Sequence, residues 1–251
     1  MASPRDRYLT IYGRKAVLEA LENGLAISRV FLADTARGEV VDRILAETKT
    51  HGVQVQRVSD RRVSSISGNS RQDQGVVADV PAPRMQPLMS FLEQRTGSSH
   101  ATAVLVLDGI TNPSNLGMIL RTATAAGLDG IVVPETGTAT VGPLVIKASA
   151  GVAFVSPILR IDRTEYALAQ LADARFEIVS VDVEGPSVFE AELSDRVALV
   201  LGNESVGISE EARGYAHSVV SLPLASDVES LNVSAAAAVV CYELVRRRTT
   251  S

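Results

Sequence analysis

Two residues six positions apart, Asn115 and Arg121, sit where an apolar run gives way to a helical pattern, in Asn112-Pro-Ser-Asn-Leu-Gly-Met-Ile-Leu-Arg121. A guanidinium holds its proton and presents a rigid fork of donors, so it orients anions and hydroxyls but is a poor base. Leu116, Ile119, Leu120 and Ala123 recur at helical spacing and mark the buried stripe. Arg121 falls off that stripe, on the face of Gly117 one turn earlier. Helical side chains lean toward the N-terminus, so the guanidinium is expected to lie over Gly117 and face the loop holding Asn115. Ser114 or Asn115 is expected to cap this helix. Taken alone, the pattern also describes a surface arginine on an amphipathic helix.

Two later segments supply backbone rather than charge. In Leu201-Gly-Asn-Glu-Ser-Val-Gly-Ile208 the glycines allow close approach to a ligand or positive φ. No lysine follows the second glycine and no Gly-x-Gly-x-x-Gly follows a strand, which disfavours phosphate-loop and dinucleotide sites. Leu222-Pro-Leu-Ala-Ser-Asp-Val-Glu-Ser-Leu-Asn-Val-Ser234 ends one apolar run and opens the last helix. There Ser230 or Asn232 can cap, and Arg246, Arg247 and Arg248 suit the negative end. Val233, Ala236, Ala237, Val240 and Leu244 share one side of that helix, as core or a subunit contact. His51, His100 and His217 are scattered, no serine stands in a nucleophile elbow, and the one cysteine, Cys241, excludes a disulfide or thiolate cluster. No metal is expected.

In this order the three segments resemble the signature motifs of the SpoU/TrmH family, RNA 2'-O-ribose methyltransferases of the SPOUT superfamily. The resemblance implies S-adenosylmethionine as cofactor, bound largely through main-chain groups at Gly202, Leu222 and Leu231. It makes Glu204, Ser230 and Asn232 the polar positions of the second and third motifs. It makes Arg121 the catalytic residue, with Asn115 beside it. Arg121 then either orients and polarises the ribose hydroxyl or transiently accepts its proton. Also implied are a deep trefoil knot, a homodimer and a neutral, apolar cofactor pocket, suited to a sulfonium.

Ile11-Tyr-Gly-Arg-Lys15 resembles the start of the family's ribosomal-protein-like substrate-binding domain, and Gln74-Gly-Val-Val-Ala78 its end. Asp73 stands where the family usually has histidine, which puts an RNA contact there in doubt. Arg14 and Lys15 are expected to bind RNA, and Lys147 to meet a phosphate. A front domain favours ribosomal RNA over transfer RNA as substrate. The competing readings are a non-catalytic RNA-binding protein with a vestigial pocket, and a small-molecule enzyme of the nucleotide-binding α/β class.

The elements that must position these residues read as an α/β chain in two parts. Helices are expected over 14–23 and 39–50, with strands at 29–33, 53–58 and 75–80. After Pro81-Ala-Pro-Arg-Met-Gln-Pro87, short strands rich in Val, Ile and Leu are expected at 104–107, 130–133, 177–183, 197–201 and 219–222. Their lack of alternation suits a mostly parallel sheet with helices on both faces. Helices are expected over 115–126, 165–174, 210–216 and 230–248. The division is a substrate-binding domain over 1–84, a linker over 85–100 and a methyltransferase domain over 101–251.

The net charge of −5 is uneven. Residues 1–100 hold 14 Lys and Arg against 11 Asp and Glu (+3), and residues 101–251 hold 10 against 18 (−8). Phosphates respond to local clusters such as Arg5, Arg7, Arg14 and Lys15, or Arg57, Arg61 and Arg62, rather than to the average. No apolar stretch suits a membrane span or a secretory signal, which makes a reducing cytoplasm the expected compartment.

Overall fold

The computed structural model describes residues 7–98, 100–225 and 228–250, which divide into compact units meeting between Pro83 and Arg84. Arg5 of the first basic cluster, Ser99, and Ser226 and Asp227 of the third motif lie outside the described residues.

The smaller unit is a four-stranded sheet with three helices. In chain order these are β1 (Tyr8–Tyr12), α1 (Arg14–Glu22), β2 (Arg29–Ala33), α2 (Glu39–Thr50), β3 (Gln54–Val58), α3 (Asp60–Ser67) and β4 (Val76–Pro81). The sheet order is β1-β4-β2-β3, with only β2 and β3 parallel. Gly24 stops α1 with φ of 68°, and the last carbonyls of the helix accept from the Gly24 and Leu25 N–H groups. β1 and α3 escape the periodicity reading. The α3 sequence is polar and serine-rich, and a local device fixes its start: Ser59 accepts the Arg62 N–H.

The larger unit contains β5 (Gln86–Pro87), α4 (Leu88–Glu93), β6 (Thr102–Leu107), α5 (Pro113–Ala125), β7 (Gly130–Pro134), α6 (Pro143–Ala148), β8 (Ile158–Ile161), α7 (Thr164–Asp173), β9 (Glu177–Ser187), β10 (Arg196–Leu201), α8 (Glu210–Arg213), β11 (Ser218–Ser221) and α9 (Val233–Thr250). Seven strands run in the order β11-β9-β10-β6-β7-β8-β5, each neighbouring pair parallel. Alternate residues of a strand face opposite sides. Val104 and Val106 join one apolar cluster with Leu88, Phe91, Leu168 and Phe176, while Leu105 and Leu107 on the other face are equally buried. This double burial explains the unalternating apolar runs.

Residues 85–100 are not simply a connector. Gln86 and Pro87 pair with β8, and Leu88, Phe91 and Leu92 of α4 are buried in the core of the larger unit. Proline suits the short edge strand β5 because an edge leaves N–H groups unpaired in any case.

Candidate functional site

The carboxyl ends of β6, β10 and β11 lead into the segments that carry the candidate residues of the three motifs. Parallel α/β sheets gather ligands at that edge. Asn112, not Ser114 or Asn115, caps α5: its side chain accepts the Ser114 N–H at 2.8 Å, and Pro113 needs no partner as the first helical residue. Asn115 is thereby freed, and it is buried within the first turn.

Its amide joins all three motifs. Asn115 Nδ2 donates to Glu204 Oε1, and Asn115 Oδ1 accepts from Asn232 Nδ2 at 3.2 Å. Asn232 is in turn the cap of α9, accepting the Ser234 N–H at 2.9 Å through its side chain and the Ala235 and Ala236 N–H groups through its carbonyl. The helix therefore starts at Val233, later than expected, because Asn232 holds the capping geometry.

Beside this relay lies a cleft of about 390 Å³. Its wall includes Gly202, Glu204, Leu222, Ser230 and Leu231, five of the six residues expected at a cofactor; Asn232 acts behind them. Gly202 is required here. A Cβ at that position would stand 2.3 Å from the Gly207 carbonyl carbon, because the turn folds back on itself through the paired Asn203 and Gly207 backbones. The lining is not neutral. Asp182, Glu204 and Glu229 contribute carboxylates against a single guanidinium, Arg213, which lies 2.9 Å from Asp182. The pairing of Asp182 with Arg213 escaped the sequence because the residues belong to separate elements outside the three motifs. An acidic wall suits a cationic ligand better than an uncharged one does.

Arg121 is exposed on α5 and makes no hydrogen bond or ion pair with any described residue. It does not lie over Gly117. That space holds α6: a Cβ on Gly117 would meet Ala148 Cβ at 2.5 Å and Val145 O at 2.6 Å. The glycine admits a helix backbone rather than a guanidinium. Lys147 is exposed in the last turn of α6, the helix packed against that glycine, and neither Arg121 nor Lys147 lines the cleft.

In the smaller unit Lys15 is exposed, whereas Arg14 is committed locally. Its Nε donates to Gln74 O and its Nη1 to Arg37 O, both at 3.1 Å. Arg57 donates to Ala33 O and Ala36 O, so one arginine from each basic cluster, Arg14 and Arg57, reaches the same turn. Asp73 is buried: it accepts Ser64 Oγ, Ser67 Oγ and the Gly75 N–H, tying α3 to the turn before β4. Here an internal brace occupies the position where a histidine was expected.

Among the described residues there is no cluster of three or more His, Cys, Asp and Glu able to hold a metal, and no helix long and apolar enough to cross a membrane.

Fold and cleft together define an α/β domain with a parallel seven-stranded sheet and a ligand site at its strand ends, preceded by a small N-terminal domain. The chain belongs to the SpoU rRNA methylase family, whose model matches residues 102–242. Residues 10–86 match a second model, RNA 2'-O ribose methyltransferase substrate binding. A Staphylococcus saprophyticus protein named as a TrmH family tRNA/rRNA methyltransferase is 30% identical, covering 96% of each chain. The AdoMet-bound rRNA methyltransferase of Sinorhizobium meliloti is 27% identical and superposes with a TM-score of 0.63 over 98% of this chain and 90% of that one. A Streptomyces viridochromogenes SpoU methyltransferase, 24% identical, shares the fold with a TM-score of 0.65 over 98% of this chain and 93% of that one.

Proposed function

We propose that the protein transfers a methyl group from S-adenosylmethionine to a ribose 2'-hydroxyl, with ribosomal RNA as substrate. The observation that carries this reading is the relay from Glu204 through Asn115 to Asn232, which brings three distant motifs together beside a cleft of cofactor size.

The cleft residues fit the cofactor. The turn closed at Gly202 and the segments at Leu222 and Leu231 offer backbone groups, Glu204 and Ser230 supply polar contacts, and the carboxylates favour a cation. When bound, the cofactor supplies an electrophilic methyl on a sulfonium, which leaves as a neutral thioether. The chain must place the 2'-oxygen in line with that methyl and help it shed its proton. Asn115, fixed on both sides, offers a preset amide, and Arg121 is the unpaired guanidinium on the same helix. It orients the hydroxyl and its neighbouring phosphate, or accepts the proton as it leaves. The substrate-binding domain, residues 1–84, binds RNA through Lys15 and through the part of the Arg14 guanidinium that its bonds to Gln74 O and Arg37 O leave over, and Lys147 meets a phosphate. Family membership further supports a trefoil knot and a homodimer.

The test is incubation of the protein with methyl-labelled cofactor and total RNA, followed by alkaline hydrolysis. A 2'-O-methyl ribose cannot form the cyclic phosphate through which alkali cuts, so label is expected in uncut dinucleotides from ribosomal RNA. Label in mononucleotides would place the methyl on a base. Label in transfer RNA alone would change the substrate. RNA bound without label would make the protein a binder.

A further inference from the structure

The turn between Gly202 and Ser209 is strapped to the segment entering α5 by more than Glu204. Asn203 is the centre of this second connection. Its Oδ1 accepts the Ser205 N–H at 2.9 Å and the Val206 N–H at 3.3 Å, shaping the turn from within. Its Nδ2 reaches out and donates to Gly109 O at 2.8 Å. Gly109 has φ of 71°, and a Cβ there would come to 3.4 Å from Asn203 Cβ, so a larger residue at this position would be pressed against the strap. Next to it Asp108, buried, accepts the Ser209 N–H through Oδ2 at 2.7 Å. The segment that runs into Asn115 and Arg121 is thus held at Asp108, Gly109 and Asn115 by a single turn of the cleft wall.

We propose that Asn203 is a positioning residue: it ties the turn lining the cleft to the start of α5, so that ligand held by the turn sets the placement of Asn115 and Arg121. This rests on reading the cleft as the cofactor site and α5 as the catalytic helix. The two ends of one amide do separate jobs. Oδ1 builds the turn, whereas Nδ2 alone makes the strap. An aspartate keeps the Oδ1 acceptor for Ser205 and Val206 but cannot donate, and sets an oxygen against the Gly109 carbonyl.

The experiment compares Asn203→Asp with wild type in cofactor affinity, in turnover at saturating cofactor and RNA, and in amide exchange over residues 109–116 with and without S-adenosylmethionine. The expected result is turnover lower by about tenfold or more, since small misplacements of reacting groups are costly. Cofactor Kd should stay within about threefold, a small change on the affinity scale. Cofactor should slow exchange over 109–116 in wild type and not in the variant. Asn203→Ser, which retains one acceptor and is too short to reach Gly109, should behave alike and replaces the aspartate if that variant fails to fold. Wild-type turnover in the folded variant overturns the proposal. So does a deficit that disappears with added cofactor, since the role would then be affinity alone. If wild type takes up cofactor yet methylates no RNA, the functional reading fails first and the proposal with it.

Discussion

Asn232 Nδ2 lies 3.2 Å from Asn115 Oδ1, joining the cap of the last helix to the first turn of α5 across 117 positions of sequence. The contact fixes which way both amides point. A carboxylate only accepts, so Asn115 must turn its Nδ2 toward Glu204 and its Oδ1 toward Asn232. Asn232 then has its own Oδ1 free for the Ser234 N–H. One orientation satisfies every partner.

Asn115→Asp tests that orientation with almost no change in shape. A carboxylate at 115 would face Glu204 and lose a donor in a buried setting. The expected loss is about 1–3 kcal/mol of stability at neutral pH, the cost of an unsatisfied buried polar group. Repulsion raises the pKa of the pair, so the deficit should shrink as pH falls and one carboxyl takes up a proton. Denaturant titrations at two pH values would show this; an unchanged midpoint at neutral pH would rule out the relay.

Gly117→Ala reverses a familiar rule. Alanine in a helix interior normally stabilises by about 1 kcal/mol over glycine. Here its methyl would stand 2.5 Å from Ala148 Cβ, 2.6 Å from Val145 O and 2.9 Å from Ser149 N, two of them backbone atoms that cannot swing aside. The variant is expected to lose about 1–3 kcal/mol, as overpacked sites do. A rise in Tm would mean that α5 and α6 do not pack as described.

The same glycine marks where sequence reading ran out. The apolar runs of β6, β7, β10 and the first half of β9 were legible because burial on both faces leaves a continuous signal, whereas β11, at the sheet edge, buries only Val220. The motif residues were legible by type and order. Their contacts were not, because Asn115 and Glu204 are 89 positions apart and no local period connects them. Gly117 suggested room for a guanidinium, but the helix filling that room, α6, is a single short element without a repeat to reveal it. β8 was missed for a similar reason, being four residues long and set between a 3-10 turn and a helix. Asp73 looked like a lost RNA contact, whereas its partners Ser64 and Ser67 show an internal brace.

Glu243 supplies a pH-dependent prediction. Its side chain is 2% exposed and pairs with Arg246 and Arg247, each at 2.7 Å, while Arg247 also donates to Val188 O and Ala191 O. The hydrogen bond from Arg246, helped by the Arg247 contact, outweighs burial, which raises the pKa, and holds the carboxyl below the usual glutamate range. A lowered folded pKa gives stability that is present above the unfolded value and lost as pH falls through the folded one. Glu243→Gln should therefore cost about 1 kcal/mol near neutrality, a figure discounted because Arg246 is largely exposed. The gap from wild type should close under acid. Parallel melting curves at pH 7 and at pH 3 to 4 check it, and a gap that widens in acid contradicts the assignment.

Arg121 gives the most direct test of the proposed chemistry. It is exposed, contacts no described polar partner and does not line the cleft, so Arg121→Ala should leave both the fold and cofactor uptake in place. If the guanidinium positions or deprotonates the ribose hydroxyl, methyl transfer should fall by about 100-fold or more, the scale of positioned acid–base groups. Arg121→Lys separates charge from shape. A lysine keeps the cation but not the planar fork, so it should recover little if two oxygens are gripped at once, and most of the rate if a single charge suffices. Calorimetry with S-adenosylmethionine alongside single-turnover methylation would resolve the two steps. Full activity in the alanine variant would remove Arg121 from the mechanism and leave Asn115 as the candidate catalytic side chain on α5 to be tested.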